Sequence, residues 1–101
     1  MSILHTVNKS PFEKQTLGSC VAHVLDGDAI LMIEDGVYGA IAGTKAALQL
    51  EETKNVSIYA LGPDLDARGL GEAKLAAGIT IVDYKGFVEL SVKHDKTQSW
   101  L

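Results

Sequence analysis

One cysteine, Cys20, one arginine, Arg68, and one tryptophan, Trp100, are the scarcest side chains in this sequence of 101 residues. A lone thiol closes no internal disulfide, which excludes a small secreted fold held together by cross-links. With one arginine and a formal charge of −4, the chain has too little clustered positive charge for a phosphate-backbone footprint, so direct nucleic-acid binding is not expected. No apolar run approaches the roughly eighteen residues that a membrane span needs. The opening MSILHTVNKS has neither a basic stretch nor an apolar segment of secretory length, and the protein reads as cytoplasmic. Neither G-x-G-x-x-G nor G-x-x-x-x-G-K-[ST] occurs, so no nucleotide or other cofactor is expected.

Apolar residues, by contrast, are plentiful: they make up 47% of the chain, against 22% charged. A chain of this length forms one small domain, residues 1–101, and a small domain has much surface to cover. Part of its apolar surface is therefore expected to meet another subunit.

The stretch DAILMIEDGVYGA, Asp28 to Ala40, organises the rest. Ala29 to Ile33 is an unbroken apolar run suited to a strand covered on both faces, and Glu34-Asp35-Gly36 then turns the chain into a new segment. In open α/β sheets function gathers beyond the carboxyl ends of the strands, which is where this acidic turn falls. Its two carboxylates argue against a phosphate there.

Ile3 to Val7 reads as a first strand containing His5. Ser10, Pro11 and Glu13 form a capping-box signature, with Thr16 as a competing start. Gly18 costs a helix about 1 kcal/mol relative to alanine and so favours the later start. Leu17, Val21, Val24 and Leu25 share one helical face, Cys20 lies on or beside it, and Gly27 is the expected stop. A broken helix follows, Val37 to Ala42 and then Lys45 to Leu50 capped by Thr44. Val56 to Leu61 is a third strand, Asp64 to Arg68 a helical turn, and Gly69 to Gly78 a loop. Ile79 to Val82 is a fourth strand, and Asp83 caps a last helix from Tyr84 to about His94 with Phe87, Val88 and Val92 turned inward. Trp100 is either tucked against the body or offered to another chain. The product is a three-layer α/β/α domain around a mostly parallel sheet of four to five strands.

A sulfur-accepting role for Cys20 needs a thiolate, hence a lowered pKa and some exposure. Its position, four residues into a helix starting at Thr16, gives little help from the helix dipole, but His23 is within reach three residues on. The competing role is that of a half-buried packing residue. Glu34, Asp35, Asp64, Asp66 and Asp83 fall beyond strand ends, where helix-start roles compete with a metal or acid/base cluster. No histidine joins them at a ligand-like spacing, and no metal is expected. His5 reads as a hydrogen-bonded core or interface histidine, and His94 as a complement to a helix dipole.

Seven short strings in order carry a resemblance. They are Leu4-His5-Thr6 with Ser10-Pro11, EDGV at Glu34 to Val37, YAL at Tyr59 to Leu61, and DLDARGL at Asp64 to Leu70, then VDY at Val82 to Tyr84, VKH at Val92 to His94, and the closing Trp100. Over nearly its whole length the chain resembles the DsrH/TusB family of DsrE-like sulfur carriers. The resemblance implies an α2β2γ2 heterohexamer with DsrE-like and DsrF-like siblings, passing persulfide sulfur to a DsrC/TusE-like acceptor. It places the main persulfide cysteine on a sibling and leaves Cys20 as an auxiliary sulfur-binding thiol. Cys20 turns the expectation toward the DsrH branch and dissimilatory sulfur oxidation, with TusB-type service in tRNA 2-thiouridine synthesis as the alternative. An independent small sulfurtransferase is the alternative of another class, but such an enzyme needs a nucleophile among convergent amide donors, and this thiol lies on a helix.

Overall fold

The structure, a computed structural model, describes residues 2–101. Its elements run β1 (Ile3–Val7), α1 (Thr16–His23), β2 (Ala29–Met32), a 3-10 helix (Glu34–Ala40), α2 (Lys45–Glu51) and β3 (Ser57–Leu61). They continue with α3 (Gly62–Ala67), β4 (Ile79–Val82), α4 (Tyr84–Lys93) and β5 (Lys96–Trp100). The five strands are all parallel, in the order β4-β3-β2-β1-β5. The chain thus moves outward from β1 to β4 and returns to the opposite edge through α4. Because crossovers are right-handed, the return places α4 on the opposite face from α1 and α2.

Alternating strand residues divide the core accordingly. Val7, Ile30, Met32 and Ala60 pack with Leu17 and Cys20 of α1, Val37 of the 3-10 helix, Leu50 of α2 and Leu65 of α3. Leu4, Ala29 and Leu31 face the other way, onto Leu90 and Phe87 of α4. Every residue of β2 is buried, as its unbroken apolar run predicts for the central strand.

Three local expectations are corrected. The helix does begin at Thr16, but it ends at His23, so Leu25 falls outside it and is 70% exposed, while Gly27 serves the following turn at φ +90°. In α4 the inward residues are Phe87 and Leu90, whereas Val88 and Val92 stand 61% and 80% exposed, in line with Tyr84. Two apolar stripes run along this helix, and periodicity alone does not say which one meets the sheet. The tail forms β5, paired with β1 from Ile3↔Lys96 to Val7↔Trp100. Its polar residues conceal it from pattern reading, because an edge strand with little buried surface needs no apolar alternation. The loop after α3 is pinned, with Ala42 N–H donating to Lys74 O at 2.9 Å and Ala76 N–H to Ala40 O at 2.8 Å.

The caps of α2 and α4 fall where expected, whereas α1 follows Gln15 without a side-chain cap, so neither Ser10 nor Thr16 caps it. Thr44 Oγ1 accepts from Ala47 N–H at 3.2 Å and Asp83 Oδ1 from Gly86 N–H at 2.8 Å.

Candidate functional site

Cys20 projects from α1 into the core with no exposed surface and is a free thiol. Burial pushes its pKa up to about 12, and the nearby negative charge of Asp28 adds to the shift. At neutral pH the residue is a protonated, covered thiol, the opposite of the condition that sulfur chemistry needs.

A chain of buried and half-buried hydrogen bonds lies beside it. Trp100 Nε1–H donates to His5 Nδ1 at 3.0 Å, and His5 Nε2 meets Asp28 Oδ2 at 2.8 Å. The indole nitrogen can only donate, so Nδ1 must accept and the imidazole proton sits on Nε2, pointing at the carboxylate. Asp28 also accepts from the backbone N–H groups of Ile3 at 3.0 Å and Leu25 at 3.1 Å. The chain therefore ties β5, β1 and the approach to β2 together through one carboxylate. Both nitrogens of His5 are engaged, which leaves none to take a proton from Cys20.

His23 forms no Cys–His pair. Its Nδ1–H donates to the Ser19 carbonyl at 2.7 Å and its ring leans on Trp100, with centroids 5.4 Å apart. Trp100 is thus tucked inward, held between two histidines. Asp28, which His5 joins to Trp100, gave no sign in the sequence beyond standing immediately before an apolar strand.

Asp28 has a measurable consequence. Burial by itself would raise its pKa, but the hydrogen bonds from His5, Leu25 and Ile3 outweigh it and hold the folded value below the ordinary 3.8. A lowered folded value means that the stabilisation is complete above the unfolded pKa and is lost as pH falls through the folded one. Stability is therefore expected to fall on acidification below about pH 4, and Asp28→Asn should flatten that part of a pH-resolved denaturation series.

The acidic turn beyond β2 is cross-linked internally. Glu34, at φ 50°, donates its N–H to Asp64 Oδ2 at 2.6 Å, and Arg68 Nε–H donates to Asp35 Oδ1 at 2.8 Å. The one arginine serves this turn. Asp66 stands beside Gly71. No group of three or more His, Cys, Asp or Glu is placed to hold a metal ion among the described residues.

The fold and these sites define a parallel α/β domain in which His5, Asp28, Asp35, Asp64 and Arg68 are hydrogen-bonded within the chain and Cys20 is covered. The DsrH like protein family matches residues 9–97, and the chain belongs to that family. It is similar to Protein TusB of Pectobacterium parmentieri, 35% identical over 98 residues, covering 97% of this chain and all of that one. It is 36% identical to Protein TusB of Enterobacter sp. (strain 638) and 35% identical to that of Escherichia coli K12, at the same coverage. Among solved structures, that of the ychN protein from E. coli superimposes with a TM-score of 0.84 at 18% identity over 99% of each chain, a likeness of fold. Among the described residues no helix is long and apolar enough to cross a membrane.

Proposed function

We propose that this chain is a TusB-type subunit of a cytoplasmic sulfur relay that serves 2-thiouridine synthesis in tRNA. The observation that carries the reading is the end-to-end similarity to proteins named TusB, at 35% identity over 97% of the chain. The sulfur-oxidation branch drew its support from the presence of Cys20 in the first helix. The similarity to proteins named TusB supports the tRNA branch better than that one residue supports the other.

In this reading the chain contributes surface and shape, and the sulfur-bearing cysteine belongs to a sibling of DsrE or TusD type. Partnership with DsrE-like and DsrF-like siblings and with a DsrC/TusE-like acceptor is part of the proposal. The outward stripe of Tyr84, Val88 and Val92 supports it, as contiguous exposed apolar surface commonly marks a subunit contact. Co-expression with the two siblings is expected to yield a stable complex, and a soluble monomer that ignores both would count against the assembly.

The test is genetic. A strain lacking this chain should lose 2-thiouridine from its tRNA nucleosides by mass spectrometry and regain it with the wild-type chain. Unchanged thiolation accompanied by failure to oxidise sulfur compounds would restore the other branch.

Cys20 has its own test. Under native conditions at pH 8, iodoacetamide is expected to leave Cys20 unmodified for as long as the chain stays folded, and denaturant should expose it to rapid alkylation. Cys20→Ser is expected to retain thiolation activity. An added sulfur atom on native Cys20 after exposure of the assembled complex to a persulfide donor would instead make it the auxiliary carrier.

A further inference from the structure

Between α1 and α2 runs a groove of about 600 Å³, within the range of ligand-binding clefts. Its charge is opposite to that of the chain. The sequence carries 13 acidic residues against 9 lysines and arginines, yet among the described residues no carboxylate lines this groove, while Lys14 stands on one wall and Lys45 on the other. Neither lysine takes part in an ion pair among the described residues. The first turns of both flanking helices contain no acidic residue, and α1 has no side-chain cap. The charged side chains that line the groove among the described residues are thus the two lysines, which favours an anionic occupant.

Gly18 forms part of the floor. A Cβ there would meet nothing closer than the Gln49 side chain at 3.7 Å, and the backbone is not in a conformation reserved for glycine. Internal packing therefore does not require this glycine, even though glycine weakens a helix. Its effect is to leave the floor open. Along the groove, the Gln15 and Gln49 amides offer both donors and acceptors, the pattern a peptide backbone needs. His23 stands at the groove with Nδ1 committed to Ser19, so Nε2 is its available ring nitrogen.

We propose that this groove binds an extended acidic peptide segment of a partner protein, its carboxylates paired with Lys14 and Lys45 and its backbone lying over Gly18. Lysines on opposite walls suit carboxylates spaced along a chain better than one compact anion. The inference stands on the groove and not on the tRNA reading, so either can fail without the other.

The test titrates the full-length 15N-labelled chain with a synthetic peptide of alternating glutamate and alanine. Saturable shifts at the amides of Gly18, Ser19 and Ala46 are expected, weakened by added salt and absent with a lysine-alanine peptide. Lys14→Glu combined with Lys45→Glu should weaken binding by at least about tenfold. Gly18→Leu should block the groove without altering charge, and the lysine double variant gives the same test if that protein fails to fold. No saturable shift, or unaltered affinity in the lysine double variant, would overturn the proposal. So would equal shifts from inorganic phosphate at equal concentration, which would make the groove a small-anion site.

Discussion

Asp28→Ala is expected to lower folding stability by about 3–5 kcal/mol, because it strands three hydrogen-bond donors that converge on one buried carboxylate. In a domain of this size that corresponds to a fall in melting temperature on the order of 15 °C or more. The loss has several sources. Alanine leaves His5 Nε2–H and the N–H groups of Ile3 and Leu25 without their acceptor, and His5 is itself buried. Each stranded donor costs roughly 1–3 kcal/mol, and relaxation of the turn before β2 recovers part of this. Trp100→Phe tests the other end of the chain of bonds, because it removes the indole donor while keeping an aromatic ring, and a milder loss of about 1 kcal/mol is expected. Thermal unfolding followed by circular dichroism measures both, with variant and parent in the same state of assembly so that association does not bias the comparison. A shift of only a few degrees for Asp28→Ala would show that water replaces the carboxylate and that the link between β5 and β1 has little structural weight.

Gly36→Ala should be comparably damaging for a different reason. A Cβ at this buried position would overlap the carbonyl oxygen of Val7 and press on the Asn8 backbone at 3.4 Å. Both neighbours are main chain at the end of β1, so no side-chain rotation can make room. The same Val7 oxygen accepts the Ile33 N–H at 3.0 Å, and moving it loosens the exit of β2 as well. A cost of about 3 kcal/mol, at the upper end of ordinary overpacking, is expected. Gly18→Ala is the internal control. There the new methyl group makes only ordinary contact with the Gln49 side chain, 3.7 Å away, on a half-buried helix face, and stability should rise by up to about 1 kcal/mol. Chemical denaturation of the two variants should therefore give opposite signs for one substitution type. A Gly36→Ala chain as stable as its parent would mean that the 3-10 helix is free to lift away from β1.

The acidic turn shows how far residue types can be read before their partners are known. Carboxylates at Glu34, Asp35 and Asp64 beyond strand ends are legible as helix-start residues, because that preference is local. The pairing of Asp64 with the Glu34 backbone and of Arg68 with Asp35 spans some thirty positions, at separations of 30 and 33. No local rule contains it.

Cys20 shows the same boundary in a chemical setting. Three residues after Leu17 and four before Val24, it is placed near a buried face by helical spacing alone. Whether the thiol ionises depends on what closes over it, and β2, the 3-10 helix and α2 supply that cover from distant parts of the chain.

Local periodicity, capping residues and turn glycines determined the alternation of strands and helices, the central position of β2 and the starts of α1, α2 and α4, because each rests on neighbours within a few residues. Only the tertiary structure decided that Lys96–Trp100 is an edge strand, that α4 turns Phe87 and Leu90 inward, and that Trp100, His5 and Asp28 form one chain of hydrogen bonds. These contacts join residues up to 95 positions apart, and they are fixed by which faces the sheet leaves uncovered once all five strands have paired.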